Sequence, residues 1–330
     1  MRTDKELIIA TKAFAFDDRS RSWWYLVSTM MAYFACLTVC LMDVSWLARM
    51  CASAVSGLLI VRMFIIYHDY QHHAILLNSH LASAIMRVYG LLVLSPSSVW
   101  NHSHDHHHKH NCKENSAAIG SFPVMTCEQF ATASRWQRIQ YVAARHPLTI
   151  GLGYLTVFMG GMCLRTMFSN PGRHADSAIA LLLHVAIFAG LAWLGWDYLV
   201  LCLVLPLTIA CGIGSYLFYA QHNFPGCILD RREKWSHVRA ALQSSCYMHM
   251  SPVMRWFTGN VGYHHIHHLN AKIPFYRLPE AMQSLAELQK PSSTSLQIAD
   301  IWACFRLNLW DCRQGRFVSY REASSCRVSA

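Results

Sequence analysis

The chemistry this sequence can support lies in its histidines, of which there are twenty. His68, His72 and His73 stand in the run HDYQHH, His104, His107 and His108 in WNHSHDHHHKHN, and His264, His267 and His268 in GYHHIHHL. Helical positions i, i+3 and i+4 share a face. His68 and His72 can therefore address one ion from one helix, while His73, rotated by about 100°, can reach a second ion or a neighbouring face. The other two runs repeat an HxxHH spacing, with His102, His106 and His110 surplus in the second and His265 in the third. Neutral imidazole suits iron, zinc, copper or nickel alike. Nine such nitrogens exceed the roughly four to six that one ion takes, so at least two neighbouring metals are implied. Asp69, Asp105 and Glu114 stand beside the clusters. Each can accept the second ring N–H of a ligating histidine and fix its tautomer, or can be simple solvated charge. The isolated His146, His174, His184, His237 and His249 read as satisfied core or surface residues.

The elements that must position these clusters are apolar. The chain has 330 residues, 54% hydrophobic and only 14% charged, too greasy for an ordinary soluble protein of that size. A membrane-spanning helix needs about 20 apolar residues. Residues 22–42 and 45–66 meet that need and are joined by a turn near Asp43, with Trp23, Trp24, Tyr25 and Trp46 where aromatic rings settle at lipid–water interfaces. Residues 76–94 are interrupted by Asn78, His80, Arg87 and Gly90 and read as an interfacial or partly buried helix, ended by Pro96. The histidine-loaded stretch that follows leads to Arg135, Arg138 and Arg145, a pattern of cytoplasmic loops.

Three more apolar runs occupy residues 147–163, 177–194 and 198–219. Three crossings would put the last histidine cluster on the wrong face, so one run should not cross. The choice falls on 147–163, the shortest, because Gly151, Gly153, Gly160 and Gly161 weaken a free-standing helix. Four transmembrane helices in two hairpins result. Beyond Gln221 the chain turns polar, with Asp230, Arg231, Arg232, Glu233 and Lys234 marking solvent and Pro274 and Pro279 bracketing a turn. A short helix near 296–309 and a loose end complete one domain, 1–330, with its core at about 23–290.

Asp4, Glu6, Asp17 and Asp18 precede the first apolar run and no cleavage site is evident, so that run reads as an anchor rather than a signal peptide. The thirteen cysteines lack paired spacing and read as reduced packing residues. The net charge of +10 is spread over polar segments, which favours anionic lipid headgroups over nucleic acid.

In order and form, HxxxHH, HxxHH and HxxHH, the clusters resemble the histidine boxes of the membrane fatty acid desaturase and hydroxylase superfamily, over roughly residues 23–279. The runs GSFPVMT (120–126), FYAQHNFP (218–225) and GNVGYHHIHHLNAKIPFY (259–276) look like those of bacterial acyl desaturases. The resemblance implies an all-α membrane protein, its four spans capped by a cytosolic helical domain that carries the boxes. It implies a di-iron centre held by the nine box histidines, with His222 as an additional ligand and Asn260 as a possible metal or water contact. It also implies O2 as co-substrate, an acyl tunnel beneath the centre, and the acyl chain of a membrane lipid or acyl carrier as substrate. In the second box the register stays open toward His102, His106 and His110. Front-end desaturases place glutamine where this chain has His264 and often carry a fused cytochrome with an HPGG motif, absent here. The electron donor should then be a separate protein, of ferredoxin or cytochrome b5 type with its reductase. A lipid or alkyl hydroxylase or ketolase of the same superfamily is the nearest alternative. A histidine-rich membrane metal transporter is a distant one, since the spans carry few ionisable ligands, His184 being the main exception.

Overall fold

The structure is a computed structural model that describes residues 2–112, 122–230 and 234–325. Helix α1 (Asp4–Thr11) opens the chain with a capping box between Thr3 and Glu6. Asp18 and Ser45 then cap two long apolar helices, α2 (Arg19–Leu41) and α3 (Trp46–Gln71), which pack against each other along the connection between them. Each side chain accepts a bond from a backbone N–H that the first turn leaves without a helical partner.

Two further helices follow: α4 (His80–Leu92), and α5 (Ser97–Lys109), which carries the second histidine cluster. The segment from 122 on contributes α6 (Cys127–Thr132) and α7 (Arg135–Ala144), each opened by a capping box. An interrupted helical run follows: α8 (Pro147–Gly151), a wider-wound π segment at Tyr154–Leu164, and α9 (Arg165–Ser169). Then come α10 (Ala175–Leu194), the short α11 (Trp196–Leu199), a second π segment, and α12 (Leu205–Ala220), the last three forming one run of 25 residues.

Four runs are long and apolar enough to cross a bilayer: Arg19–Leu41, Trp46–Gln71, Ala175–Leu194 and Trp196–Ala220. The second is the most buried and packs on both α2 and α12, so it is the central strut. At one end of it the guanidinium of Arg49 lies 2.6 Å from the carboxylate of Asp197. At the other end stand His68 and His72. Two ionisable side chains inside the bundle are satisfied by protein. His184 bonds the Leu92 carbonyl (2.9 Å) and the Tyr154 hydroxyl (3.1 Å). Arg62 bonds Thr29 and the Trp256 carbonyl and lies over the Trp256 ring.

The glycines of the 147–169 run serve close approach as well as weakening the helix. A Cβ on Gly153 would stand 2.1 Å from Ser215 Oγ and 2.5 Å from the Cys211 carbonyl, so only glycine lets this run lie against α12. Its far end reaches the start of α10, where Thr166 and Ser177 hydroxyls are 3.3 Å apart.

The remaining helices are short: α13 (His237–Gln243), α14 (Pro252–Phe257), α15 (His264–Leu269), α16 (Leu278–Ser284), α17 (Ile298–Arg306) and α18 (Tyr320–Ser325). The chain is mostly rather than wholly helical. Strands β1 (Tyr247–His249) and β2 (Ser293–Ser295) pair in parallel, and β3 (Leu309–Asp311) and β4 (Arg316–Val318) form an antiparallel hairpin. That hairpin stands where the sequence suggested a loose end. It is ordered because Trp310 and Phe317 are buried and Trp310 N–H donates to the Met125 carbonyl (3.0 Å).

Candidate metal centre

The last turn of α3 presents His68, and His72 caps that helix. His104, His107 and His108 face inward from α5, His222 follows the end of α12, and α15 consists almost entirely of the third cluster. These nine side chains are each no more than 9% exposed.

They fall into two groups of ring nitrogens. His68, His72, His104, His108 and His267 form one, and His107, His222, His264 and His268 the other, with the nitrogens of each group within 4.8 Å of one another. In the first, His68 and His104 Nε2 are 3.1 Å apart, His104 and His108 3.1 Å, and His108 and His267 3.2 Å. In the second, the corresponding separations are 3.1 Å for His107 and His222, 2.9 Å for His222 and His264, and 3.0 Å for His264 and His268.

Helical geometry explains the division. In each HxxHH motif the first and last histidines, one turn apart on one face, join the same group, while the middle one is rotated into the other. Thus His104 and His108 serve the first group and His107 the second, whereas His264 and His268 serve the second and His267 the first. The two motifs interlock, so neither group forms without both.

His73 joins neither group. The helix ends at Gln71, His73 takes a left-handed backbone (φ 55°), and its side chain is exposed. Of the HH pair of the first box only His72 stands in a nitrogen group, and His222 stands in the second. His106 and His110 stack on each other at 4.2 Å outside both groups. His265 is buried but turns away to the Leu288 carbonyl (3.2 Å). The side chains of His102 and Asp105, and all of Glu114, lie outside the described residues.

Groups around the nitrogens hold the rings in place. Asp69 offers Oδ1 to His68 Nδ1 (3.2 Å) and with Oδ2 accepts the Phe275 N–H (2.6 Å). His222 Nδ1 donates to the Ser244 carbonyl (3.0 Å), which leaves its Nε2 lone pair facing the group. Trp100 stacks on His104 at 4.1 Å. Asn260 also takes a left-handed backbone (φ 57°), and its amide donates to the Phe275 carbonyl (3.0 Å). It anchors the same loop that Asp69 holds from the other side.

Burial first, and then the neighbouring imidazoles, hold His104, His107, His108, His264, His267 and His268 well below the ordinary histidine range. They stay neutral, the form that ligates a metal. His72 Nε2 is buried with no hydrogen-bond partner among the described residues, an orphan that a metal would satisfy.

The trigger for these assignments was legible in the motif spacing, but the apolar slot beside the nitrogens was not. It runs between α3 and α12 from His68, His104, His107 and His264 past Phe64, Phe158 and Phe218. The aromatic walls come from three distant stretches of chain, and no local pattern joins them.

Comparison with known proteins agrees with this geometry. Residues 44–297 match the fatty acid desaturase family. The chain is 30% identical to a Bacillus subtilis (strain 168) protein named fatty acid desaturase, over 98% of this chain and 93% of that one. It is 25% identical to the sn-1 acyl-lipid omega-3 desaturase (ferredoxin) of a Synechocystis species, over 93% and 87%. With the omega-6 fatty acid desaturase of Spinacia oleracea chloroplasts it shares 22% identity over 97% and 72%. These relatives favour desaturation over the hydroxylase and transporter alternatives. An oxidoreductase with two buried histidine groups at the ends of two of its four membrane-length helices, this chain belongs to the fatty acid desaturase family.

Proposed function

We propose that the two histidine groups hold two iron ions and that the enzyme uses O2 to place a double bond in a fatty acyl chain. In the balanced reaction two adjacent methylenes lose two hydrogens, a donor gives two electrons and two protons enter, and O2 leaves as two waters.

The observation that carries this reading is the convergence of nine buried imidazoles into two groups. The donor set fits the metals. With an imidazole–metal bond of about 2.1 Å, two nitrogens at a right angle around an ion stand about 3.0 Å apart, and the Nε2 pairs lie at 2.9 to 3.2 Å. His68, His72, His104, His108 and His267 would hold one ion, and His107, His222, His264 and His268 the other. When bound, the irons supply with O2 an oxidant strong enough to take hydrogen from an unactivated methylene, which no side chain can do.

The chain's own residues supply position and dryness. Asp69 orients His68, and the Ser244 carbonyl orients His222. The slot walls of Phe64, Phe158 and Phe218 exclude water and keep an extended chain beneath the nitrogens.

The same reading fits a single domain, with α2 and α3 as one transmembrane hairpin and α10 to α12 as the second. The histidine boxes and the short helices then cap the cytoplasmic face, beside helix α7 with Arg135 and Arg138. The 147–169 run is re-entrant on this reading, its ends resting near Ser215 of α12 and Ser177 of α10. Electrons come from a separate ferredoxin or cytochrome b5 type protein with its reductase. The test is reconstitution with iron, a reductase chain and lipid, followed by mass spectrometry of the acyl chains. A new double bond is expected; none with both irons bound overturns the reading.

A further inference from the structure

A second apolar space lies beside the slot. It is a groove of about 620 Å³ between α2, α3, α4, α10 and α12, lined by residues such as Met30, Leu37, Met63, Val88, Leu191 and Leu207. All of these except Val88, which α4 supplies, belong to helices of membrane-crossing length. The groove and the slot share two residues, Ile60 and Val93, which stand in the wall of both. Both are buried, at 8% and 4% exposure.

Tyr89 holds this partition together. Its hydroxyl, from α4, donates to the Ile60 carbonyl of α3 at 2.7 Å, and its own carbonyl accepts the Val93 N–H at 3.0 Å. Its ring packs on Tyr67 at 5.6 Å, and Tyr67 packs on Trp100, the ring stacked on His104. The slot itself has room for about 40 Å³, enough for only a few waters. An acyl chain therefore enters only when a wall moves, and the wall facing the groove is two aliphatic side chains fastened by one hydroxyl.

We propose that Ile60 and Val93, latched by Tyr89, form a lateral gate through which the acyl chain of a bilayer lipid slides from the groove into the slot. The substrate is then a chain still esterified to a membrane lipid, not a thioester on a soluble carrier. This rests on the desaturase reading above. The groove's occupant follows from its continuity with the slot through the shared residues, from its apolar lining, and from the span helices that form most of it.

The experiment uses the iron-loaded protein in phospholipid vesicles with a reductase chain. Wild type is expected to desaturate vesicle phospholipid, and iron-loaded Val93→Trp, with the gate plugged, to do so at least about ten-fold more slowly. A wild-type rate in iron-loaded Val93→Trp overturns the gate, and so does wild-type activity confined to acyl thioesters. Should Val93→Trp fail to hold two irons, a phospholipid with a diazirine on its acyl chain decides the matter on wild type. Labelling of Val88 or Leu191 supports the gate, and labelling that spares the groove overturns it. Absence of any double bond from every substrate overturns the desaturase reading together with the gate.

Discussion

The Nε2 atoms of His222 and His264 lie 2.9 Å apart, although 42 residues separate them in the chain. One ring stands just past the end of a membrane-length helix and the other opens the short helix α15, so the second nitrogen group is also a fastening between the two. His222 Nδ1 is fixed by the Ser244 carbonyl, so its Nε2 cannot turn away without losing a buried hydrogen bond.

Replacing His222 by alanine should therefore remove a nitrogen that His73 cannot restore. His222→Ala is expected to lower iron from two per chain toward one and to reduce double-bond formation by at least about 100-fold. His73→Ala, at an exposed position outside both groups, should keep both irons and near wild-type activity. Iron analysis of the purified variants alongside product assay checks the pair.

Asp69 joins His68 to the Phe275 backbone across 206 residues. Asp69→Asn keeps an oxygen for one of these contacts and puts an amide NH2 in place of the other, so a loss of about 10- to 100-fold in metal affinity or activity is expected. Asp69→Ala also strands the buried Phe275 N–H, a cost of about 1–3 kcal/mol, and should lower the thermal midpoint further than Asp69→Asn does.

Acid should weaken the metal-free protein. In the unfolded chain histidines take up protons near pH about 6.5, while in the fold burial and neighbouring imidazoles hold six of them neutral well below that. The unfolded state then binds more protons, so stability is fully present above about pH 6.5 and is lost progressively as the pH falls below it. Unfolding midpoints of chelator-treated protein in detergent should be flat from about pH 8 to 7 and drop from about 6.5 downward. A flat profile to pH about 5 would mean that the empty site does not keep its rings buried.

Gly153 and Gly151 separate close packing from helix propensity. Gly153→Ala would drive a methyl into Ser215 and the Cys211 carbonyl, and overpacking of this kind costs about 1–3 kcal/mol. Gly151→Ala meets open space and should be neutral or slightly stabilising, since alanine is the better helix former. Thermal unfolding of the two variants should move in opposite directions or differ by several degrees.

The four membrane-length helices were legible because a bilayer demands long apolar runs, and Trp23, Trp24 and Trp46 mark where they begin. The pairing of His104 with His108 and of His264 with His268 follows from 3.6-residue periodicity. What spacing cannot show is where α3 stops. No glycine or proline marks the end after Gln71, so His73 looked equivalent to His72 until the backbone turned it outward. The β3–β4 hairpin was also hidden, since three-residue strands carry little alternation, although Gly315, in a left-handed conformation (φ 62°), is the signal of its turn. The Asp69–Phe275 and His222–Ser244 bonds are tertiary, and no local pattern encodes them.

The most direct test is the iron content of purified, reconstituted protein, measured for wild type and for one variant in each nitrogen group, His72→Ala and His268→Ala. The expected result is about two irons per chain in wild type and about one in each variant, with double-bond formation lost in both. One iron or none in wild type, or two irons retained in both variants, would contradict a centre built from these two groups.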